Sequence, residues 1–122
     1  MIYGYARVST KEQKLDRQID SLTKYVDVKN IYSDKLSGKN TNRENYQKLK
    51  EVVVAGDVIY IHALDRLSRN KRDTIREFNF FKEKGVILRI LNMPTTLIEL
   101  DGQQWIIESE IRQRRIIPAG VQ

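Results

Sequence analysis

A serine and three arginines stand at positions where they could build a phosphate-binding site. Ser9 follows a β-prone segment, Arg7 precedes it by two residues, and Arg66 and Arg69 lie three apart in a later polar segment. Guanidinium groups stay charged and bind phosphate oxygens in fork geometry. Phosphoryl transfer depends chiefly on positioning and charge stabilisation, which an arginine cluster can supply without a metal. A hydroxyl at the mouth of a helix, where N–H groups are unpaired, fits the same chemistry.

The sequence leaves open which group would activate the serine. An isolated hydroxyl is a weak nucleophile, and the single histidine of the chain is not close to Ser9 in the sequence. Arg7 or Asp65 could take or relay the proton, and the pattern does not choose between them. Less specific interpretations also exist: Ser9 as a structural serine at a strand–helix junction, Asp65 as a helix cap, and Arg66 with Arg69 as a solvated turn.

Length and composition predict one soluble domain with an anionic partner. A chain of 122 residues can bury one core and is too short for two ordinary domains. The net charge of +6 favours nucleic acid as that partner. Without cysteine there is no disulfide or thiolate metal site, and one histidine is too few for a histidine-based metal cluster. No apolar run reaches membrane-spanning length and no signal-peptide pattern is present, so we expect a cytoplasmic protein without membrane contact.

Alternating strand and helix patterns predict an α/β fold. We expect a mostly parallel central sheet of four to five strands with helices on both faces, followed by a C-terminal helix. The predicted strands are residues 2–8, 30–34, 58–61 and 86–91, and the predicted helices begin near residues 10, 43, 72 and 103. Ligand sites of such sheets lie beyond the carboxyl ends of the strands. Ser9 and the loops 35–42 and 64–70 should therefore share one edge.

Helical spacing also predicts which apolar residues are buried and where the helices are capped. Thr10 with Gln13 fits a capping box for the first helix, Asn42 could cap the second, and Gly85 should end the third. The residues predicted to face inward are Leu15, Ile19, Leu22, Val26, Tyr46, Leu49, Val52, Val53, Ile75, Phe78, Phe81, Trp105, Ile106, Ile107 and Ile111.

The motifs of the chain resemble, in order and spacing, those of the serine recombinases, the resolvase/invertase family. They are YARVST from Tyr5, Gln13 and Gln18, DKLSG from Asp34, the pair Gly56-Asp57 and LDRLSR from Leu64, and they cover most of residues 1–100. The resemblance implies that Ser9 attacks a DNA backbone phosphate, forms a 5′-phosphoserine link and releases a 3′-hydroxyl. Strand exchange and religation would follow, with no metal and no nucleotide cofactor.

Matching to the family's motifs also implies a role for each site residue. Arg7, Arg66 and Arg69 would bind the scissile phosphate, and Asp65 would position an arginine or handle a proton. Three further residues would support the site: Gln18, Ser37 and Arg43.

The resemblance further predicts partners and domain organisation. Family members act as homodimers that pair into a tetramer on two DNA sites. We assign residues 1–100 to a resolvase-type catalytic domain and 101–122 to a C-terminal helix with a basic tail, whose arginines Arg112, Arg114 and Arg115 could contact DNA. Members normally carry a longer helix and a helix-turn-helix domain, and this chain stops before such a domain with a shortened helix. A catalytically inactive DNA-associated relative, or an interaction module of the same fold, is therefore the alternative.

Overall fold

The chain alternates strands and helices, as its sequence predicts. A computed structural model describes residues 1–9, 15–36, 43–68, 70–97 and 104–113. The strands are β1 (Ile2–Ser9), β2 (Ile31–Leu36), β3 (Val58–Ile61) and β4 (Ile87–Ile90). The helices are α1 (Leu15–Leu22), α2 (Glu44–Val52), α3 (Lys71–Lys84) and α4 (Gln104–Gln113). Short 3₁₀ turns lie at Val28–Asn30, Leu64–Arg66 and Pro94–Leu97.

The strands form one parallel sheet in the order β2-β1-β3-β4. Four strands in the described segments agree with the lower end of the predicted number. Ser9 at the end of β1 is opposite Leu36 at the end of β2, and Tyr5 is opposite Ile61 at the end of β3. The carboxyl ends of these neighbouring strands therefore meet at one edge, as predicted, while residues 37–42 and 69 of the two predicted loops lie outside the described residues.

Helices cover both faces of the sheet, because side chains along β1 alternate between them. Tyr3 and Tyr5 belong to a core cluster that also contains buried residues of α2, α3 and α4. Gly4 faces the opposite side, where a Cβ atom would lie 3.5 Å from side-chain atoms of both Leu22 and Val26. This close approach lets α1 and the turn after it pack directly on the centre of the sheet.

Most of the predicted inward-facing residues are buried. They include Leu22, Val26, Tyr46, Leu49, Val53, Phe78, Phe81, Ile107 and Ile111, while Ile75 is half-buried. The prediction for Val52 is wrong, because this side chain is 44% exposed. Helix α2 ends at Val52. Val53 adopts an extended backbone, so the side chain of Val53 points into the core instead. Val26 is buried from the turn after α1, since that helix already ends at Leu22.

The helix ends are satisfied partly by residues far away in the sequence. The first-turn N–H groups of Asn45 and Tyr46 donate to the carboxylate of Asp34 at 3.1 and 3.0 Å. A side chain of β2 thus caps α2, whose cap position is Arg43. The predicted caps Thr10, Gln13 and Asn42 lie outside the described residues.

The ends of α3 follow local rules. Asn70 accepts a hydrogen bond from the N–H of Asp73 at 2.7 Å, so Asn70 rather than Asp65 caps this helix. Gly85 ends it with a φ of 82°, as the sequence predicts. Among the described helices, none is both long and apolar enough to cross a membrane.

Candidate active site

The backbone of β1 is fixed at Arg7 by the side chain of Gln18. The amide oxygen of Gln18 accepts a hydrogen bond from the Arg7 N–H at 3.2 Å, and its amide nitrogen donates to the Arg7 carbonyl at 3.1 Å. Gln18 is 6% exposed and lies on α1, so this helix is tied to the strand two residues before Ser9. An amide that satisfies both backbone groups of one residue acts like a neighbouring strand. The supporting role that the resemblance implies for Gln18 stays a prediction.

The side chain of Arg7 connects β1 to the 3₁₀ turn that follows β3. Its Nη2 donates to the backbone carbonyl of Asp65, and the residue as a whole is 6% exposed. A guanidinium cannot lose its charge in a protein, so burial here keeps a positive charge at the carboxyl edge of the sheet. The structure therefore brings Arg7 and the segment of Arg66 together, as the motif spacing predicts.

Arg43 connects the start of α2 to the same turn. Its Nη1 donates to the Leu67 carbonyl at 2.6 Å and its Nη2 to the Arg66 carbonyl at 2.7 Å. The guanidinium also stacks on the ring of Tyr46, with its carbon 3.7 Å from the ring centroid. With Arg7, Arg43 supplies donors to three successive carbonyls of the turn. This arrangement assigns Arg43 to holding the turn rather than to holding an anion.

A buried pair that the sequence did not single out lies beneath Arg43. The hydroxyl of Tyr5 donates to the Asp34 carboxylate at 2.7 Å and accepts from Nε of Arg43 at 3.3 Å. Burial raises the pKa of Tyr5 well above its usual range, although the nearby Arg43 opposes this, so the phenol stays protonated. Both Tyr5 and Asp34 fall inside the matched motifs, which is the signal that could have drawn attention to them.

Arg66 differs from the other two arginines. Its Nε is buried and has no hydrogen-bond partner within the described segments, and its Nη1 lies 3.8 Å from a carboxylate oxygen of Asp65. The Arg66 side chain is 22% exposed and that of Asp65 is 52% exposed. A buried donor without a partner is costly, so it is expected to be paired when a ligand is bound. Arg66 could therefore bind an anion at this edge of the sheet, next to the carboxylate of Asp65.

The remaining predicted residues are placed only in part. Ser9 is the last residue of β1, and its side chain lies outside what the structure describes, as do the residues Ser37, Arg69, Arg114 and Arg115. Arg112 is exposed at the end of α4 and pairs with Glu108 at 3.2 Å, so its charge is partly neutralised. The catalytic and DNA-binding roles of all these residues stay predictions.

The described segments hold no cluster of three or more histidine, cysteine or acidic residues that could bind a metal ion. What they do hold at the carboxyl edge is a set of guanidinium groups around one backbone turn. Such a set can position an anion and stabilise negative charge on it.

Comparison with known proteins shows which sequences this chain resembles. A "Resolvase" of Clostridium perfringens is 44% identical over 90 residues, which are 73% of this chain and 48% of that protein. "Resolvase/recombinase" of Pseudomonas putida is 42% identical over 92 residues, 75% of this chain and 51% of that protein. "Transposon Tn3 resolvase" of Escherichia coli is 44% identical over 92 residues, 75% of this chain and 50% of that protein.

The chain spans about half the length of these curated relatives. The family described as the resolvase N-terminal domain matches residues 2–106, which is most of the chain. The matched residues include all four strands and the turn that Arg7 and Arg43 hold. The chain therefore belongs to the resolvase family, as an N-terminal domain of that family.

Proposed function

We propose that this chain is the catalytic domain of a serine site-specific recombinase. Ser9 attacks a phosphodiester of the DNA backbone, and recombination follows by strand exchange and religation. The catalytic domain comprises residues 1–100, with the C-terminal helix and basic tail in 101–122. The names of the relatives, a transposon resolvase among them, support a role in the recombination of mobile DNA.

The proposal rests mainly on one observation. A buried nitrogen of Arg66 has no hydrogen-bond partner among the described residues, at the edge of the sheet where β1 ends with Ser9. The Nε of Arg66 is buried and unpaired within the described residues, next to a turn bonded by the buried Arg7. Ser9 ends β1 two positions after Arg7 at the same edge of the sheet. A phosphate oxygen would satisfy Arg66 and would bring the phosphorus toward the end of β1.

The proposed reaction is a transesterification with balanced bonds. The Oγ of Ser9 forms a bond to phosphorus, and the bond from phosphorus to the 3′ oxygen of the neighbouring nucleotide breaks. The 3′ oxygen leaves with a proton, and the DNA 5′ end remains as an ester of the serine. Religation runs the same step backwards with a new 3′-hydroxyl. Arg7, Arg66 and Arg69 stabilise the charge on the phosphate oxygens, so neither metal nor cofactor is required.

Asp65 fits a positioning role best. Its carboxylate is half exposed and lies 3.8 Å from Arg66, a distance at which it can orient the guanidinium without forming a tight pair. Asp65 stays a candidate for accepting the serine proton, whereas Arg7, whose guanidinium keeps its charge, could only relay it. Gln18 and Arg43 support the site through backbone contacts, and Ser37 is assigned to the same supporting role.

The wider assembly follows from the proposed reaction. Recombination needs two DNA sites, so we propose a homodimer that pairs into a tetramer. Arg112, Arg114 and Arg115 would contact the DNA backbone. The net charge of +6 supports DNA as the partner, and its DNA substrate would place the protein in the cytoplasm.

The test is the formation of a covalent protein–DNA adduct. We would join the chain to a DNA-binding module of known site and look for the adduct on denaturing gels. We expect an adduct with the unchanged chain, none with Ser9→Ala, and an undiminished amount with Ser21→Ala, a serine on α1. Phosphoserine at residue 9 of the adduct would be identified by mass spectrometry.

The opposite result would favour the alternative. If the fusion forms no adduct but the chain without the fused module binds DNA, the chain is an inactive DNA-associated relative. If the fusion forms no adduct and the chain alone binds no DNA, an interaction module of the same fold is the better description. An adduct that survives Ser9→Ala would exclude Ser9 as the nucleophile.

A further inference from the structure

A largely buried carboxylate on α3 is linked, through a series of side-chain contacts, to the turn after β3 that Arg7 and Arg43 hold. Glu77 accepts hydrogen bonds on one oxygen from the hydroxyl of Tyr46 at 2.6 Å and from Nζ of Lys50 at 2.9 Å. Its side chain is only 13% exposed. Neither Glu77 nor Tyr46 belongs to the motifs that indicate the active site, so the predicted chemistry gives them no role.

The next contact in this series joins Tyr46 to Arg43. Tyr46 is 2% exposed, and its ring supports the guanidinium of Arg43 at 3.7 Å from the centroid. Burial, and then the hydrogen bond to Glu77, raise the pKa of Tyr46 far above its usual range, so the phenol remains a donor. A phenol that donates to a carboxylate carries more electron density in its ring, which strengthens attraction to a cation on its face.

The last contact is the one between Arg43 and the turn. Arg43 donates to the carbonyls of Arg66 and Leu67 while its guanidinium lies on the Tyr46 ring. A ring free to tilt would let both donors drift from the two carbonyls. The position of Arg66 relative to Arg7 therefore depends on how firmly the Tyr46 ring is held from below.

We infer that Glu77 is a positioning residue for the catalytic turn, acting through Tyr46 and Arg43. The inference rests on the proposed function for its catalytic meaning, but the series of contacts itself does not. Among the described residues, the polar contacts of Glu77 are with Tyr46, Lys50 and Arg76, and none of these lies in the turn. The role of Glu77 is to hold the Tyr46 ring, which holds Arg43, which holds the carbonyls of Arg66 and Leu67.

Amide hydrogen exchange in the 122-residue chain tests the positioning directly. The N–H groups of Arg66 and Leu67 donate within the turn to Ala63 and Leu64 at 3.1 and 2.9 Å, so they report on its opening. We expect Glu77→Leu and Tyr46→Phe each to speed their exchange about tenfold, the size of a lost charged hydrogen bond. Glu77→Gln, which keeps an acceptor, should restore most of the protection.

Two controls separate positioning from general packing. Glu83→Leu removes an exposed carboxylate from the same helix and should leave both amides unchanged. Lys50→Met breaks the other bond to Glu77 and loosens the pairing of α2 with α3, yet it leaves the Tyr46 hydroxyl bonded. Equal effects of Lys50→Met and Glu77→Leu, or wild-type exchange in both Glu77→Leu and Tyr46→Phe, would overturn the inference.

A spectroscopic signature follows the middle of the series. The guanidinium carbon of Arg43 lies 3.7 Å from the ring centroid of Tyr46 and 5.2 Å from that of Tyr5, so we expect the two rings to shift the resonance of the Nε–H proton. Tyr46→Phe and Glu77→Leu should move this resonance, and Glu83→Leu should not. An Arg43 resonance unchanged in both variants would contradict the inference.

The adduct assay keeps this inference distinct from the proposed function. With the DNA-binding fusion, Glu77→Leu should slow adduct formation about tenfold at saturating DNA while the affinity for DNA stays unchanged. If the unchanged chain forms no adduct, the proposed function fails and the exchange data alone decide the positioning. If the unchanged chain forms an adduct and Glu77→Leu matches it in rate, the positioning role is wrong.

Discussion

Arg43 and Arg66 lie on the same edge of the sheet and are used in opposite ways. All three donor nitrogens of Arg43 point at protein acceptors, namely two backbone carbonyls and the hydroxyl of Tyr5. Arg66 has a buried Nε without a partner in the described structure and only a loose pairing with Asp65. Arg43 stabilises the turn through its hydrogen bonds, whereas Arg66 is part of the turn and keeps a donor unpaired within the described residues.

The difference teaches how a positive site can be preorganised. A guanidinium saturated by carbonyls keeps its position whether or not an anion is present, because its bonds are internal. A guanidinium with an unpaired buried N–H gains a hydrogen-bond acceptor when an anion binds, and this acceptor is missing in the free protein. The first type contributes stability and the second contributes binding, so the two should respond differently to the same substitution.

The largest expected effect is on catalysis by Arg66→Met. This change keeps the aliphatic stem and removes the guanidinium, and we expect adduct formation to slow by about 10²–10³-fold, as for a lost transition-state donor. The free energy of unfolding should change by less than about 1 kcal/mol, since only a loose pair is lost. Single-turnover adduct kinetics and urea denaturation measure the two quantities. A large loss of stability would erase the contrast with Arg43.

The matched change Arg43→Met should act first on stability. It leaves the carbonyls of Arg66 and Leu67 without their donors, and we expect the free energy of unfolding to fall by about 3 kcal/mol. Urea denaturation under the same conditions gives the comparison with Arg66→Met. An unfolding midpoint equal to that of the unchanged chain would mean that the turn does not need Arg43.

Gln18 is an uncharged side chain that, like Arg43, bonds backbone groups near the site. Its loss should lower the free energy of unfolding, by less than the loss of Arg43. Gln18→Leu removes both hydrogen bonds to the backbone of Arg7, and we expect a loss of about 1–3 kcal/mol in the free energy of unfolding. Gln47→Leu on the exposed side of α2 is the control and should be nearly neutral. Equal free energies of unfolding in the two variants would show that the hydrogen bonds of Gln18 do not stabilise the fold.

The smallest expected effect concerns a saturated carboxylate at the opposite edge of the sheet. Asp57 is bonded to the N–H of Val54 at 2.9 Å and to the amino group of Met1 at 3.1 Å. Burial alone would raise its pKa, but these two groups lower it below the ordinary value of 3.8. A lowered pKa gives stability that is complete above the ordinary value and is lost as the pH falls through the folded value.

Thermal unfolding at several pH values checks this sign. Asp57→Asn should be less stable than the unchanged chain near pH 6, by about 1 kcal/mol. The gap should narrow as the pH falls below about 4, because the unchanged chain then loses the same charge. A gap that stays constant down to pH 3 would show that the charge of Asp57 does not stabilise the fold.

Much of the fold could be predicted because its signals are local. The apolar run at Val58–Ile61 gave the boundaries of β3 correctly, and Gly85 marked the end of α3. The repeated strand-helix order was sufficient to predict the parallel sheet and the shared edge. The prediction for Val52 is wrong because α2 ends at this residue with its side chain exposed, and the extended backbone of Val53 places the Val53 side chain in the core instead.

The internal contacts of the site could not be predicted, because they join distant segments. Nothing near Arg43 in the sequence indicates that its guanidinium reaches the carbonyls of Arg66 and Leu67, 23 and 24 residues later. Asp34 caps a helix from a neighbouring strand, which no capping pattern includes. The resemblance supplied the identity of such residues but not the bonds they make.

The central place of β1 in the sheet has a consequence for the order of folding. This strand precedes the other described strands in the sequence, yet the Arg7 side chain bonds a carbonyl 58 residues further along the chain. Its two neighbours, β2 and β3, must both arrive before its edges are paired. Such distant pairing is slow to form, so the nascent chain carries its serine without the surrounding charge until the turn after β3 has docked. Under the proposed function, reactivity toward DNA would be acquired only with the completed sheet, and local unfolding of that turn would abolish it.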